Sequence, residues 1–204
     1  MSVRLAIIIL AAGEARRYGS NKLLSEHPSG DSLLHYVISQ YQPLSALPIT
    51  IVSGRFDNEL RQALSTGHAI RIAKNEDWQS GMGGSISTGI RAAMTLADST
   101  PASLYPTHFM VGLADTPLVT TEGLRELVDK ACIFPNARIA SEAEGVRMSP
   151  AIFPLSDEDA LAGLTGQKGA AKLLNAAAPH CIAVPFKEAA MDIDEPADWQ
   201  ALGR

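Results

Sequence analysis

The sequence predicts a three-layer α/β/α fold on a mostly parallel sheet, as a single domain over residues 1–204. Three observations predict it. Leu5 to Leu10 is an unbroken Ala/Ile/Leu run, as expected of a strand covered on both faces. Strand-like and helix-like segments then alternate along the chain, which favours parallel strands joined by helices. The helical segments carry their apolar residues on one face only, as helices packed on a sheet do.

The elements follow in order. After the first strand, Leu33, Leu34, Val37, Ile38 and Tyr41 recur at helical spacing behind Gly30-Asp31-Ser32. Ile49 to Val52 reads as the second strand and ends at Ser53-Gly54. Asp57 to Leu64 reads as a short helix capped by Asp57. Ile70 to Ala73 is a weaker third strand. Ile86, Ile90, Ala93, Met94 and Ala97 mark the next amphipathic helix, and Ser99 to Thr107 a loop. Phe109 to Leu113 is the fourth strand, followed by a helix with Leu124, Leu127, Val128 and Ala131 on one face. Arg138 to Ala140 and Ala151 to Phe153 are short strands, Ala170 to Ala178 a helix, and Cys181 to Val184 a strand. Pro196 opens a last helix at a position where proline is tolerated.

Composition narrows the function. The chain has 204 residues, 46 % hydrophobic and 19 % charged, the balance of a globular protein able to bury a core. A net charge of −5 disfavours phosphate-backbone binding, so no nucleic-acid partner is expected. Cys132 and Cys181 lack metal-ligand spacing and read as two small buried hydrophobes. Met1 to Ala12 opens like a signal peptide, but the apolar run is short and Glu14, Arg16, Arg17 and Lys22 follow at once; a buried strand is the better reading. No segment is long enough to span a membrane, and a cytoplasmic location is expected. His27, His35, His68, His108 and His180 are scattered with no zinc pattern.

The segment after the first strand, Leu10 to Lys22, concentrates the chemistry. Small residues at Leu10-Ala11-Ala12-Gly13 let a ligand approach the backbone, whose amides can form a nest for phosphate oxygens. Arg17 and Lys22 place charge where a polyphosphate would lie. A dinucleotide loop would need glycine where Ala15 stands, and a P-loop would need Gly-Lys-Ser/Thr at its end. An ordinary surface turn with solvated cations is the remaining alternative. Farther on, Asn75 to Ile86 contains Gly81-Met82-Gly83-Gly84-Ser85. This is either a flexible loop with a serine cap, or close-approach glycines and Ser85 around a base or ribose at a helix N-terminus. Asp115, in Asp115-Thr116-Pro117, ends the fourth strand at the ligand-binding edge of such a sheet, unless it only starts a turn. Asp192 and Asp194 point the same way if extended; they also suit a helix-start cluster.

These motifs resemble the MobA-like nucleotidyltransferases. Leu10 to Lys22 is similar to their Leu-Ala-Ala-Gly-x-x-x-Arg-Met-Gly-x-x-Lys signature, with Tyr18 in place of Met. Pro28 to Leu34 loosely resembles their Gly-Lys-Pro-Leu-Leu turn. Trp78-Gln79-Ser80-Gly81-Met82 through Ser85-Ile86 resembles the stretch of the molybdenum cofactor cytidylyltransferase branch, and Asp192-Ile193-Asp194-Glu195-Pro196-Ala197-Asp198 their late acidic segment. Arg147-Met148-Ser149-Pro150 resembles the acceptor-side Gly-Asn/His-Pro segment, departing from it at Met148 and Ser149. Gly166-Gln167-Lys168-Gly169-Ala170 resembles Gly-Asp-Lys-Gly-Ala.

The resemblance implies a Rossmann-like sheet of the nucleotide-diphospho-sugar transferase type. It implies a nucleoside triphosphate, CTP by the branch, bound by Leu10, Ala11, Ala12, Gly13, Gly81, Met82, Gly83 and Ser85. Arg17, Lys22 and Asp115 are the expected catalytic residues. Mg²⁺, which favours one or two carboxylates plus phosphate oxygens, is expected on Asp115 with Asp192 or Asp194. Ser149, Pro150 and Lys168 are expected at the acceptor, molybdopterin bearing molybdenum; Lys168 is otherwise a solvated helix-start lysine. Guanylyl transfer, transfer to a sugar phosphate, and a non-catalytic accessory role beside a molybdoenzyme stay open.

Overall fold

The computed structural model describes residues 3–65, 69–177 and 180–202, with Ala201 described by its backbone alone. His68 and Ala178 lie outside the described residues. Among the described residues, seven strands form one sheet: β1 (Leu5–Ala11), β2 (Ile49–Ser53), β3 (Ile70–Lys74), β4 (His108–Leu113), β5 (Arg138–Ala143), β6 (Val146–Pro154) and β7 (Cys181–Pro185). Their order is β3-β2-β1-β4-β6-β5-β7. The first four strands are parallel; β6 runs antiparallel to both β4 and β5, and β7 is again parallel to β5. The sheet is therefore mixed, and parallel for the most part.

β1 is central, and its residues alternate between two cores. Leu5, Ile7, Ile9 and Ala11 join α1 (Leu33–Tyr41), α2 (Asp57–Ala63) and α4 (Thr121–Ile133) on one side. Ala6, Ile8, Leu10 and Ala12 join α3 (Met82–Ala97), α5 (Glu158–Ala162) and α6 (Ala171–Leu174) on the other. A strand buried on both faces reads as a continuous apolar run because neither face meets water. Ser32 caps α1 by accepting from His35 N at 3.3 Å, and Thr120 caps α4 by accepting from Gly123 N at 3.3 Å.

Several expectations need correction. Asp57 is the first helical residue of α2, and Phe56 stands at the cap position without a side-chain bond; Asp57 accepts instead from Ser53 Oγ and pairs with Arg61 one turn on. The helix expected from Ala170 shrinks to the four residues of α6, preceded by Gly169 at φ +52°. The last helix, α7 (Asp198–Ala201), begins two residues after Pro196. Cys181 is buried but Cys132 is exposed, on the solvent side of α4 next to buried Ala131.

β5 and β6 form a hairpin longer than the apolar residues alone suggest, and its register slips between Ala140 and Ser141. Ala140 pairs Ala151, but Ser141 pairs Met148, so Ser149 and Pro150 bulge from β6. The Ser149–Pro150 peptide is cis, and the Pro150 carbonyl accepts from Ser141 Oγ at 2.7 Å. At the start of β5, Arg138 reaches Asp157 through two nitrogens at 2.7 and 2.8 Å, and donates to the Leu173 carbonyl at 2.6 Å. Both charged residues are buried, and they tie the sheet to the end of α6.

Candidate active site

The carboxyl ends of β1 and β4 open into a cleft of about 500 Å³. Leu10, Ala12 and Gly13 form one wall, Trp78, Gln79, Gly81, Met82 and Ser85 another. Asp115, Asp192 and Gln167 complete this part of the lining. The loop from Gly13 turns through Ala15 at φ +51° and Gly19 at φ +79°, closed by Gly19 N donating to the Ala15 carbonyl at 3.2 Å. Ala15 holds a left-handed conformation that carries strain for a residue with a Cβ, a common property of ligand loops.

A short 3₁₀ turn, Lys22–Leu24, follows the loop. Asn21 caps it by accepting from Leu23 N at 3.3 Å and donates to Glu59 at 3.1 Å, so Lys22 turns inward. Its side chain is only 10 % exposed, and Nζ lies 2.8 Å from Asp115 and 3.2 Å from Asp194. Burial pulls the Lys22 ammonium down, but Asp115 and then Asp194 outweigh it and its pKa ends above the ordinary value. Arg17 pairs with the other oxygen of Asp194. Asp194 itself is fixed from the backbone side: Asp198 accepts from Asp194 N and Glu195 N, both at 2.7 Å. Ile193 N donates to the Asp115 carbonyl at 3.0 Å, and the buried Ile193 side chain anchors the segment between the two aspartates.

Asp192 behaves differently. It lines the cleft with Asp115, and burial, then Asp115, then Asp194 push its carboxyl above the usual range. Among the described residues no three His, Cys, Asp or Glu side chains are arranged as a metal cage. Two facing carboxylates beside a phosphate loop nevertheless fit a hard cation such as Mg²⁺, which keeps water and phosphate oxygens as its other ligands. Asp115 and Asp192 line the cleft together, Asp115 also meeting Lys22, whereas Asp194 is turned to Lys22 and Arg17.

The glycines of the second motif serve a purpose the sequence did not indicate. Gly81 has φ +119°, and a Cβ there would sit 2.6 Å from the Gly166 carbonyl oxygen. A Cβ on Gly83 would sit 2.5 Å from the Thr165 carbonyl oxygen, and Gly83 N donates to the Gly166 carbonyl at 2.8 Å. Their missing side chains make room for the chain at 165–167, and Gly81 also lines the cleft. Ser85 lies inside α3, whose cap position is Gly81, and accepts from the buried Asn75 side chain at 3.0 Å. It also lines the cleft.

A second cavity of about 290 Å³ adjoins the first and shares Met82, Leu113 and Asp192 with it. Ser149, Arg147, Met148 and Lys168 line it, with Ala170 and Leu174 as part of its apolar wall. The β6 bulge puts Ser149 there, while Pro150 is buried behind it. Arg147 is steadied by donating to the Leu174 carbonyl at 3.0 Å.

The structure thus gathers the expected residues into two groups. Leu10, Ala12, Gly13, Gly81, Met82, Ser85, Asp115 and Asp192 share the cleft, and Ser149 and Lys168 share the second cavity. Ala11 and Lys22 lie just behind the cleft with Asp115. Arg16, not Arg17, lines the cleft itself. Arg147 and Gln167 also line these cavities; their positions depend on the β6 bulge and the glycine contacts, which leave no periodic signal in the sequence. Tyr18 accepts from Trp199 Nε1 at 3.1 Å, and Trp199 meets His27 edge-on, so Tyr18 joins the loop to α7.

A mostly parallel sheet thus carries a small-residue loop, a buried lysine and cleft-lining carboxylates at its strands' carboxyl edge, where such folds bind ligands. The chain belongs to the MobA-like NTP transferase family, whose profile matches residues 7–181. Over 141 residues it is 33 % identical to the bifunctional protein GlmU of Solibacter usitatus, covering 68 % of this chain and 28 % of that one. The chain therefore spans about a quarter of the length of the curated relatives it matches. Rv0371c of Mycobacterium tuberculosis has the same fold, with a TM-score of 0.76 at 20 % identity over 98 % of each chain; a structure of that protein in complex with manganese also superposes, at 0.68. The molybdopterin-guanine dinucleotide biosynthesis protein A of Archaeoglobus fulgidus gives 0.65 at 16 % identity, over 96 % of this chain and 95 % of that one. The likeness extends to nucleotide-diphospho-sugar transferase folds, as the sequence motifs implied.

Proposed function

We propose that the chain is a cytoplasmic cytidylyltransferase that transfers CMP from CTP to the terminal phosphate of molybdopterin bearing molybdenum, releasing pyrophosphate. One observation carries this reading: the two adjoining cavities meet at Met82, Leu113 and Asp192, so a nucleotide in one faces an acceptor in the other. The Leu10–Gly13 segment would hold the triphosphate, and Ser85 the nucleoside end. Lys168 and Ser149 would hold the acceptor with its phosphate towards the shared wall.

An acceptor phosphate oxygen attacks the α-phosphorus of CTP. A new P–O bond forms, the bond from the α-phosphorus to the bridging oxygen breaks, and its electron pair leaves on pyrophosphate. A phosphate monoester is already anionic, so no general base is needed; alignment and charge neutralisation suffice. Lys22, held close to Asp115, and Arg17 neutralise charge on the leaving group. Mg²⁺ on Asp115 and Asp192 would supply charge stabilisation of the phosphate oxygens. Asp194 acts on that site by holding Lys22 and Arg17 in place.

The test is pyrophosphate release with Mg²⁺ and molybdenum-loaded molybdopterin, offering CTP, GTP, ATP and UTP separately. Release with CTP alone supports the reading, and release with GTP alone replaces the base while keeping the class. Asp115→Asn lowers turnover on the order of a hundredfold or more if Asp115 holds the metal; near-wild-type turnover removes it from the mechanism. A second reading, transfer to a sugar phosphate, is favoured by the 33 % identity to part of GlmU. Pyrophosphate release with a hexosamine 1-phosphate as acceptor, and none with molybdopterin, selects it. Nucleotide binding without release with either acceptor selects an accessory role beside a molybdoenzyme.

A further inference from the structure

Glu14 stands at the mouth of the nucleotide cleft between two guanidinium groups. One of its oxygens takes Arg16 Nε, and the other accepts from Arg55 Nη1 at 3.0 Å. Glu14 and Arg16 both line the cleft. Arg55 comes from a separate element, the turn after β2, and lies outside the motifs that mark the nucleotide site. That turn is pressed against the first loop: a Cβ on Gly54 would sit 2.6 Å from the Ala12 carbonyl oxygen. The Arg55 guanidinium also lies over the Phe56 ring, 5.3 Å from its centre, which restricts where it points.

Two guanidinium groups converging on the two oxygens of one carboxylate form a site for an oxyanion of phosphate type, because planar N–H donors match either group. Glu14 is 24 % exposed and its partners 48 % and 78 %, so these ion pairs are weak and open at little cost. A polyphosphate brings several charges to the same place and outcompetes one carboxylate.

We propose that Arg55 is a further polyphosphate-binding residue, and that Glu14 is a built-in competitor that occupies the Arg16–Arg55 clamp until a nucleotide's phosphate tail displaces it. The proposal rests on the nucleotide-binding reading above and adds to it a residue and a sign. If Glu14 merely braced the loop, its neutralisation would loosen both arginines and weaken nucleotide binding. As a competitor, its neutralisation strengthens binding.

Calorimetric titration of the full chain with tripolyphosphate, and separately with Mg-CTP, reads the sign. Glu14→Gln tightens both ligands by about threefold to tenfold, and Arg55→Met weakens both by a similar factor. Arg55→Lys, which keeps the charge, recovers part of that loss. In the double variant the gain from Glu14→Gln shrinks, because half of the clamp it frees is gone. Weaker or unchanged binding by Glu14→Gln, or unchanged binding by Arg55→Met, overturns the proposal. The wild-type arm separates the two levels. Wild-type binding of Mg-CTP with no change in either variant leaves the nucleotide reading intact and removes the clamp. Wild-type binding of tripolyphosphate but not Mg-CTP removes the nucleotide reading and leaves the clamp to be judged on tripolyphosphate. Failure of the wild type to bind either removes both.

Discussion

Replacing Lys22 by Met deletes the cation on which Asp115 and Asp194 converge. The ammonium is 2.8 and 3.2 Å from its partners, and a unit pair at about 4 Å near a protein surface is worth on the order of 4 kcal/mol before desolvation. The lysine is 10 % exposed, but the carboxylates are 23 % and 32 % exposed, so water reclaims much of that interaction. A net loss of about 2 kcal/mol is expected, below the range for fully buried pairs. Met fills the same space, so the loss reports charge rather than a cavity. Urea unfolding gives the number, with an unchanged m-value as the check that the native state stays compact. The decisive comparison is the double variant with Asp194→Asn. Asp194→Asn alone is destabilising, because Lys22 and Arg17 lose a partner. With Lys22 gone, the same change relieves repulsion with Asp115 and Asp192, so the double variant is more stable than the sum of the single losses by about 1–2 kcal/mol. Simple additivity would refute the view that one lysine holds this acidic site together. Turnover falls on the order of a hundredfold in both Lys22 variants, since stability returns without the cation.

Other expectations follow from separate parts of the structure. Gly83→Ala places a Cβ 2.5 Å from the Thr165 carbonyl oxygen, so it should cost about 1–3 kcal/mol in urea unfolding and weaken both nucleotide and acceptor binding by displacing residues 165–167. Asp157→Leu strands the buried Arg138 guanidinium and should cost about 3–5 kcal/mol, most of it recovered when Arg138→Met is added. Burial holds the His108 imidazole below its ordinary value, opposed by its bond to the Pro135 carbonyl. Above about pH 6.5 the ring is neutral in both states. As pH falls through that value the unfolded chain takes up a proton first, so stability drops until the folded pKa is passed. His108→Gln should flatten the fall in stability from about pH 7 to pH 5 measured by urea unfolding at each pH.

The sheet was legible where burial leaves a period and obscure where single contacts decide. The Leu5–Leu10 run read best as a strand covered on both sides, and β1 is central. The antiparallel course of β6 carries no such mark, because an apolar triplet such as Ala151 to Phe153 reads the same in either direction. Asp57 illustrates a local rule overridden: its carboxylate meets Ser53 and Arg61, leaving the cap position to Phe56. In the site, the motifs pointed to residues that line both walls of the cleft, but gave no sign that the space at Gly81 and Gly83 is filled by distant backbone. The contributions of Arg16 and Arg55 depend on where Glu14 points, and spacing along the chain does not encode that.

The joining of residues 17–22 to residues 193–199 sets a condition on when the site can exist. Lys22 and Arg17 meet Asp194, Tyr18 meets Trp199, and Ile193 N meets the Asp115 carbonyl. During synthesis the first loop leaves the ribosome some 170 residues before its partners, counting from Lys22 to Asp194. Until the late segment arrives, Lys22 and Arg17 lack Asp194 and Tyr18 has no indole to hold it. Completion of the site therefore waits on residues 193–199, long after the first loop has emerged. A nascent chain with most of its sheet already formed would still lack Asp192 on the cleft wall and Asp194 beside Lys22.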